Sequence, residues 1–341
     1  MARPEVTLEI RTSPHVLSGY SVDTIMFNVV LALLPTTAFA VYAFGLMALV
    51  TLGGAVASCL LTEQVFCRLS GRSSTLGDWS AAITGLLYGL TLPPGLPLWM
   101  VVVGGVLAVG LGKVLFGGLG SNPFNPALVG RAFLQAAFPV AMTSWVPAFG
   151  EGRFTSLPAS NATLPFTEPL VDAVSTATPL ALWKFDRQAT EWGDMALGFV
   201  GGSTGETSGV LILLGGAYLV ARNMMNWRIP FAVLATVGAL SLGLHAADPE
   251  RYASAGFMLF SGGLMLGAVF MASDMVGSPM TDRGCLVYGA LIGALVVVIR
   301  SWGGMPEGVM YAILLGNALT PHIDRLVRPR VYGSAGVETS S

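Results

Sequence analysis

The sequence predicts an all-α polytopic membrane protein of about ten transmembrane helices, and three observations carry that prediction. Of 341 residues, 53% are hydrophobic and only 11% charged, against about 25% charged in a soluble domain. So few charges cannot cover the surface of a soluble chain this long, and the mean hydropathy is +0.70. The apolar residues also come in runs of about 17 to 25, long enough to cross a bilayer as helices. Finally, the 43 glycines suit membrane helices, whose backbones approach closely through small residues. The net charge of −2 identifies no partner, and nucleic acid is not expected as one.

Residues 1–23 form a polar, mixed-charge segment, placed in the cytoplasm, with no apolar stretch ahead of a small-residue cleavage site. The spans follow from the length rule and the breakers between runs. The first bundle, 24–142, holds spans at 24–44, 46–66, 79–92, 98–116 and 126–142. The third is short and stops at Pro93-Pro94. A long polar segment follows at 143–208. The second bundle, 209–323, holds spans at 209–221, 229–244, 253–272, 285–298 and 308–323, and a tail occupies 324–341.

Lys and Arg set the orientation. With both termini in the cytoplasm, inside segments hold Arg3, Arg11, Arg68, Arg72, Lys113, Arg222, Arg228, Arg283, Arg325, Arg328 and Arg330. Outside segments hold Arg153, Lys184, Arg187, Arg251 and Arg300, a bias of about two to one. The long segment is then non-cytoplasmic. Two Gly/Ser/Pro turns, GLGSNPFNPALVGRAF (118–133) and DMVGSPMTDRGCLVYG (274–289), suggest two parallel five-helix repeats, an arrangement that places sites at the repeat interface. Chance similarity of two such turns is the alternative.

Candidate chemistry is sparse. Cys59, Cys67 and Cys285 match no disulfide, zinc or Fe–S spacing and read as apolar fillers. His15, His245 and His322 form no metal motif. In DAVSTAT (172–178), Thr178 precedes Pro179. That is either a helix cap with proline in the first turn or a hydroxyl offered for a phosphoester bond. GGSTGETSG (201–209) supplies glycines for close approach to a ligand, and Ser203, Thr204, Thr207 and Ser208 supply donors. A flexible linker explains it equally well; without a Lys after the last Gly it is no P-loop. Arg131 lies within a span, where arginine usually faces the protein interior or a cavity, there to bind an anionic ring or phosphate or to pair with a carbonyl or acid. Asp274 and Asp78 lie at span ends, as functional charges or as plain helix-terminal ones.

These segments together resemble the RnfD family of electron-transport complex subunits, related to the B-type subunit of the sodium-pumping NADH:quinone oxidoreductase. The resemblance runs nearly end to end, through SPHVLSGYSVDTIMFNVVLALLP, DWSAAITGLLYGLTLPP, NPFNPALVGRAFL, DAVSTAT, GSTGETSG, SDMVGSPMTDRG and GNALTPHIDRLVRPRVYG. The quinone-reductase subunits are longer at the N-terminus, which favours RnfD.

The resemblance implies FMN joined through its phosphate to Thr178 by a dedicated flavin transferase, with Asp172, Ser175, Thr176 and Ala177 completing the attachment motif. It places Gly202, Ser203, Gly205, Glu206, Thr207 and Ser208 near the flavin, with Asn125 and Arg131 as further cofactor-binding candidates. It also implies a second, noncovalent flavin (riboflavin), which the sequence locates no more closely than the two Gly/Pro turns. The expected partners are other Rnf-type subunits, among them a second flavinylated subunit and Fe–S subunits, in a bacterial inner membrane with the flavin loop periplasmic.

The expected function is that of a non-autonomous subunit passing electrons between NADH and ferredoxin, coupled to Na+ or H+ movement. No residue in the pattern is assigned bond-making catalysis or metal binding. Asp274, Asp78 and Glu63 are the candidates for the ion path. A channel or secondary transporter without flavin would show the same organisation, and a subunit that has lost its cofactor is a further alternative. DAVSTAT separates these, since a solute carrier has no need of a flavin anchor.

Overall fold

In the computed structural model, the described residues are 21–155, 160–165, 167, 177–188, 190–206 and 208–328. Asp172, Ser175, Thr176 and Thr207 lie outside them. Among the described residues there is no β-strand.

Helix α1 (Val22–Phe44) starts on Ser21, whose hydroxyl accepts the Thr24 N–H. Helix α2 (Leu46–Leu69) follows after a single residue. Helix α3 (Ser80–Leu90) is only 11 residues, about 16 Å at 1.5 Å per residue, or half of a hydrocarbon core of about 30 Å. Helix α4 (Leu98–Gly112) continues as a 3-10 turn to Phe116. Helix α5 (Pro126–Ala137) is capped by Asn125, which accepts the Ala127 and Leu128 N–H groups, and opens on Pro126.

The single expected span at 126–142 is in fact two pieces. The chain breaks at Phe138, and the short α6 (Pro139–Met142) begins on a proline. Pro139 has no N–H to donate and its ring crowds the preceding turn.

The long polar segment carries α7 (Pro179–Ala181), which runs on as a π-helical turn, Leu182–Asp186, and α8 (Trp192–Leu197). The second half holds α9 (Gly209–Ala221), α10 (Arg228–Ala247), α11 (Ala255–Phe260) and α12 (Leu264–Leu266). A π-helical turn, Gly267–Met271, extends α12. Helices α13 (Asp282–Trp302) and α14 (Val309–Leu326) close the fold. The expected continuous span at 253–272 is interrupted at residues 261–263, where Gly262 takes φ +62°. No helix continues through that conformation, and a side chain there is strained.

Among the described residues, five helices are long and apolar enough to cross a bilayer: α1, α2, α4 with its 3-10 turn, α10 and α13. Helices α3 and α9 are shorter and apolar. Outward-facing Leu61, Leu214, Phe231 and Leu242 are exposed, the pattern of helices that face lipid. The chain is thus a multi-pass membrane protein.

Helix α2 meets α3 and α4, while α10 meets α11 and α13; α1 meets α9 across the halves. The pairing of the two Gly/Pro turns suggested by the sequence differs in register. The first turn leads into α5, the fifth span of its half, and the second into α13, the fourth span of its half when the interrupted α11–α12 segment is counted as one. Gly289 and Gly293 let α13 sit against the backbone carbonyls of Ile229 and Val233 in α10. The Tyr218 hydroxyl donates to Asn28 Oδ1 at 2.6 Å between α9 and α1.

Candidate functional site

The short and broken helices leave a hollow at each end of the bundle. At one end lies Thr178. Its backbone is extended (φ −68°, ψ 156°), its hydroxyl accepts the Ala181 N–H at 3.2 Å, and Pro179 opens the turn. The capping role is therefore real. Thr178 is nonetheless only 8% exposed, and it lines a cavity with Arg131, Glu206, Glu307 and Tyr311. Lys184 anchors the segment: its ammonium donates to the carbonyls of Gly303 (2.6 Å) and Met305 (2.7 Å), between α13 and α14. Burial lowers the Lys184 pKa.

A buried charge cluster backs this cavity. Arg131 Nη2 donates to Glu307 Oε2 at 2.8 Å. The Gly263 N–H, at the break between α11 and α12, donates to Glu307 Oε1 at 2.5 Å. Arg300 donates to the Met258 and Ser261 carbonyls at 2.7 and 2.9 Å. Met258 lies in the last turn of α11 and Ser261 directly follows it, so Arg300 satisfies carbonyls that the helix break leaves open. The Nε atoms of Arg131 and Arg300, Ser203 Oγ and Glu206 Oε1 are buried without a hydrogen-bond partner.

Glu206 and Glu307 lie in loops, outside the spanning helices. Burial, then the nearby Glu307, pushes Glu206 up to about 7. Burial alone would raise Glu307 as well, but Arg131 and Arg300 pull it below its usual value.

The Gly-rich loop is built onto α3. The Gly205 N–H donates to Leu90 O at 2.6 Å, the Thr204 N–H to Leu92 O at 3.0 Å, and the Thr204 hydroxyl to the same oxygen at 2.7 Å. These bonds satisfy carbonyls at the premature end of a helix. A Cβ on Gly205 would stand 2.8 Å from Leu90 Cβ and 2.9 Å from its carbonyl oxygen. The close approach at Gly205 is therefore to α3. Gly202 faces the Glu206 carboxylate, and Ser208 caps α9 through the Leu211 N–H. Ala177 adjoins Thr178 in the described segment.

At the opposite end the two Gly/Pro turns come together. Asn125 Nδ2 donates to Met271 O at 3.4 Å. A largely apolar cavity there is lined by Thr84, Lys113, Asn122, Asn125, Ser273 and Asp274, among others. Asn122 is buried and its Oδ1 has no partner. Asp274 lies past the last helical turn, accepts the Val276 N–H at 3.3 Å, and is raised by burial.

Two of the three ion-path candidates share a network beside this cavity. Lys113 Nζ donates to both Glu63 oxygens, at 2.7 and 2.8 Å, and to Ser80 Oγ at 2.6 Å. The Ser80 hydroxyl in turn donates to Asp78, and the Thr75 hydroxyl to Glu63. Asp78 also accepts the Ser80 N–H at 2.9 Å, which starts α3. Asp274 lines the cavity that Lys113 and Ser80 also line.

Reasoning from the sequence missed Glu307, Arg300, Asn122 and Lys113. Arg300 and Lys113 are counted there as segment charges, yet Arg300 is the buried last turn of α13 and Lys113 is 3% exposed. Apolar surroundings on both sides were the available signal. Glu307 is a lone loop acid with no signal of its own. Asn122 stands three residues from Asn125 in SNPFN, a spacing that could have flagged it. Among the described residues no group of His, Cys, Asp and Glu could hold a metal ion.

The profile of the NQR2, RnfD, RnfE family matches residues 9–333. The chain is 44% identical to the D-type subunit of the ion-translocating oxidoreductase complex of Stutzerimonas stutzeri, over 92% of each chain. It is 41% identical to the D-type subunit of the Na(+)-translocating ferredoxin:NAD(+) oxidoreductase complex of Acetobacterium woodii, over 96% of each. It is 40% identical to the D-type subunit of the proton-translocating ferredoxin:NAD(+) oxidoreductase complex of Clostridium ljungdahlii, over 95% of this chain and 96% of that one.

Proposed function

The chain belongs to the NQR2, RnfD, RnfE family, and from that premise we propose that it is the D-type subunit of an Rnf-type complex. In this reading it carries electrons between NADH and ferredoxin partners, coupled to Na+ or H+ translocation, through FMN joined by its phosphate to Thr178. The observation that carries the reading is the setting of Thr178. It ends DAVSTAT and lines a cavity with Arg131, whose guanidinium Nε has no partner. A phosphodiester is an anion, and an unpartnered guanidinium N–H is the donor such an anion needs.

When bound, the flavin supplies one-electron chemistry. The chain's own residues do the positioning. Lys184 holds the Thr178 segment on the loop before α14. Arg131 offers positive charge to the phosphate, and the loop carrying Ser203 and Glu206 closes the same hollow over the end of α3.

The second, noncovalent flavin belongs in this reading to the cavity between the two Gly/Pro turns. The buried, unpartnered Asn122 Oδ1 supports that assignment, as an acceptor for a ring N–H in a largely apolar pocket. The periplasmic side is proposed for Thr178 and the cytoplasmic side for both termini, from the Lys and Arg bias.

A sodium-translocating and a proton-translocating relative are 41% and 40% identical to this chain.

The test is in-gel fluorescence. The chain is expressed with a cognate flavin transferase, and wild type and Thr178→Ala are compared on a denaturing gel under ultraviolet light. A fluorescent wild-type band that vanishes in the variant is expected. A dark wild-type band, with a known acceptor labelled in the same cells, would leave Thr178 as a helix cap only.

A further inference from the structure

We propose that Glu206 is an exchangeable proton site that gains occupancy when negative charge enters the cavity it shares with Thr178. The second half of this statement rests on the reading of Thr178 as the flavin anchor; the first half stands on the cluster itself.

Four charged side chains from four parts of the chain meet behind that cavity: Arg131 of α5, Arg300 of α13, Glu307 before α14, and Glu206. Three of them hold one another or the backbone by hydrogen bonds, Arg131 through its Nη2 alone. Glu307 is held by Arg131 Nη2 and the Gly263 N–H. Arg300 is spent on the carbonyls of Met258 and Ser261. Glu206 is the one left over. Its Oε2 accepts the Ser203 N–H, at 3.3 Å, and its Oε1 is buried with no hydrogen-bond partner among the described residues.

A buried carboxylate with an unsatisfied oxygen is costly as an anion and far less so as a neutral acid. The remaining ionisable group lining the cavity is Tyr311, and Lys184 is committed to backbone carbonyls. The proton therefore goes to Glu206, whose affinity lies where the aqueous phase can both load and unload it.

The charge sum gives the site a purpose. With both acids ionised, the two Glu and two Arg side chains cancel. A phosphodiester on Thr178 adds one negative charge, and an electron arriving beside it adds another. A proton on Oε1 offsets one of these. In the balanced step, one electron passes from a one-electron donor to the flavin on Thr178, and one hydronium ion on the Thr178 side breaks an O–H bond to give its proton to Glu206, leaving water. One O–H bond forms on Glu206 and no bond of the chain breaks. Reoxidation returns the proton to the same side.

Infrared difference spectroscopy on the full-length protein tests this in two arms. In flavin-free protein, made without flavin transferase, lowering the pH through neutrality should produce a protonated-carboxyl band that shifts in D2O. Glu206→Gln should lack it. Glu307→Gln should keep it but move its midpoint acidwards by about one pH unit, a tenfold loss of proton affinity. A band retained in Glu206→Gln, or no titration near neutrality in wild type, overturns the site.

In flavin-loaded wild type, dithionite reduction at neutral pH should increase the same band. An unchanged band on reduction overturns the coupling while leaving the titration intact. A protein that takes no covalent flavin fails the gel test instead, so the two failures are distinguishable.

Discussion

Lys113→Met is expected to cost about 3–5 kcal/mol of stability, the usual cost of removing one partner from a buried ion pair. The Lys113 and Glu63 side chains are 4% and 3% exposed. At their 2.7 Å separation, the gross attraction at an effective dielectric of about 20 is about 6 kcal/mol. Withdrawing each ion from water costs several kcal/mol, so the intact pair contributes little net stability. Deleting the lysine removes the attraction and keeps the cost of the buried carboxylate, which retains only the Thr75 hydroxyl. The double variant Lys113→Met/Glu63→Gln carries no charge at that place and should recover to within about 1–2 kcal/mol of wild type. The assay is thermal unfolding in detergent, followed by the reactivity of the thiol of Cys59, which is buried in the folded chain. A double variant as unstable as the single one, or a single variant losing under about 1 kcal/mol, would refute the reasoning.

Four further outcomes are expected. Gly205→Val should clash with Leu90 and lift the loop from α3, costing about 1–3 kcal/mol, read as a lowered Tm. Lys184→Met should speed proteolytic cleavage within residues 177–188, because it removes donors to Gly303 and Met305. Stability should fall as pH rises towards and past neutrality. Glu206 has a raised folded-state pKa, so its contribution is full below the ordinary carboxylate value and is lost as pH rises through about 7; Glu206→Gln should flatten that part of the Tm–pH curve. Asn122→Ala should lower the noncovalent flavin recovered per chain on acid precipitation while leaving the in-gel fluorescence of the covalent flavin unchanged.

The long helices were legible because hydropathy reports burial in lipid directly, and α1, α2 and α4 fall where the apolar runs do. What was not legible is where a run contains a stop. Ser261-Gly262-Gly263 and Pro139 are visible as letters, yet small residues and prolines also occur inside membrane helices that continue. Only the neighbours decide. The break at Gly262 holds because Arg300 arrives from α13 to take the freed carbonyls, and the next N–H finds Glu307. Helix α13 in turn outruns its expected 285–298 at both ends, since Arg300 and Asp282 lie within it. Hydropathy counts Arg300 against the helix, and tertiary contacts offset that cost. The same holds at the candidate site. Thr178, Arg131 and Glu206 stand out by type and setting, whereas their convergence in one cavity depends on α7, α5 and a loop meeting across long sequence separations.

The short elements have a common consequence. A full span keeps its ends about 30 Å apart, but α3 and α5 are 11 and 12 residues, about 16 and 18 Å. Helix α5 serves both hollows: Asn125 at its start lines one cavity, and Arg131 lines the other. The two positions are separated by about 9 Å of helix axis. The interrupted α11–α12 segment does the same, with Gly262 beside Thr178's cavity and Ser273 and Asp274 beside the other. Two hollows thus reach inwards from opposite ends along the same two segments of chain. On the proposed reading, that geometry lets electrons pass between two flavins over less than the membrane's thickness. Lengthening α3 or α5 by one turn would separate the hollows by about 5 Å more. The expected result is slower reduction of the Thr178 flavin with its attachment unchanged, read by stopped-flow absorbance on the assembled complex. An unaltered rate would mean that electrons do not pass between these two hollows.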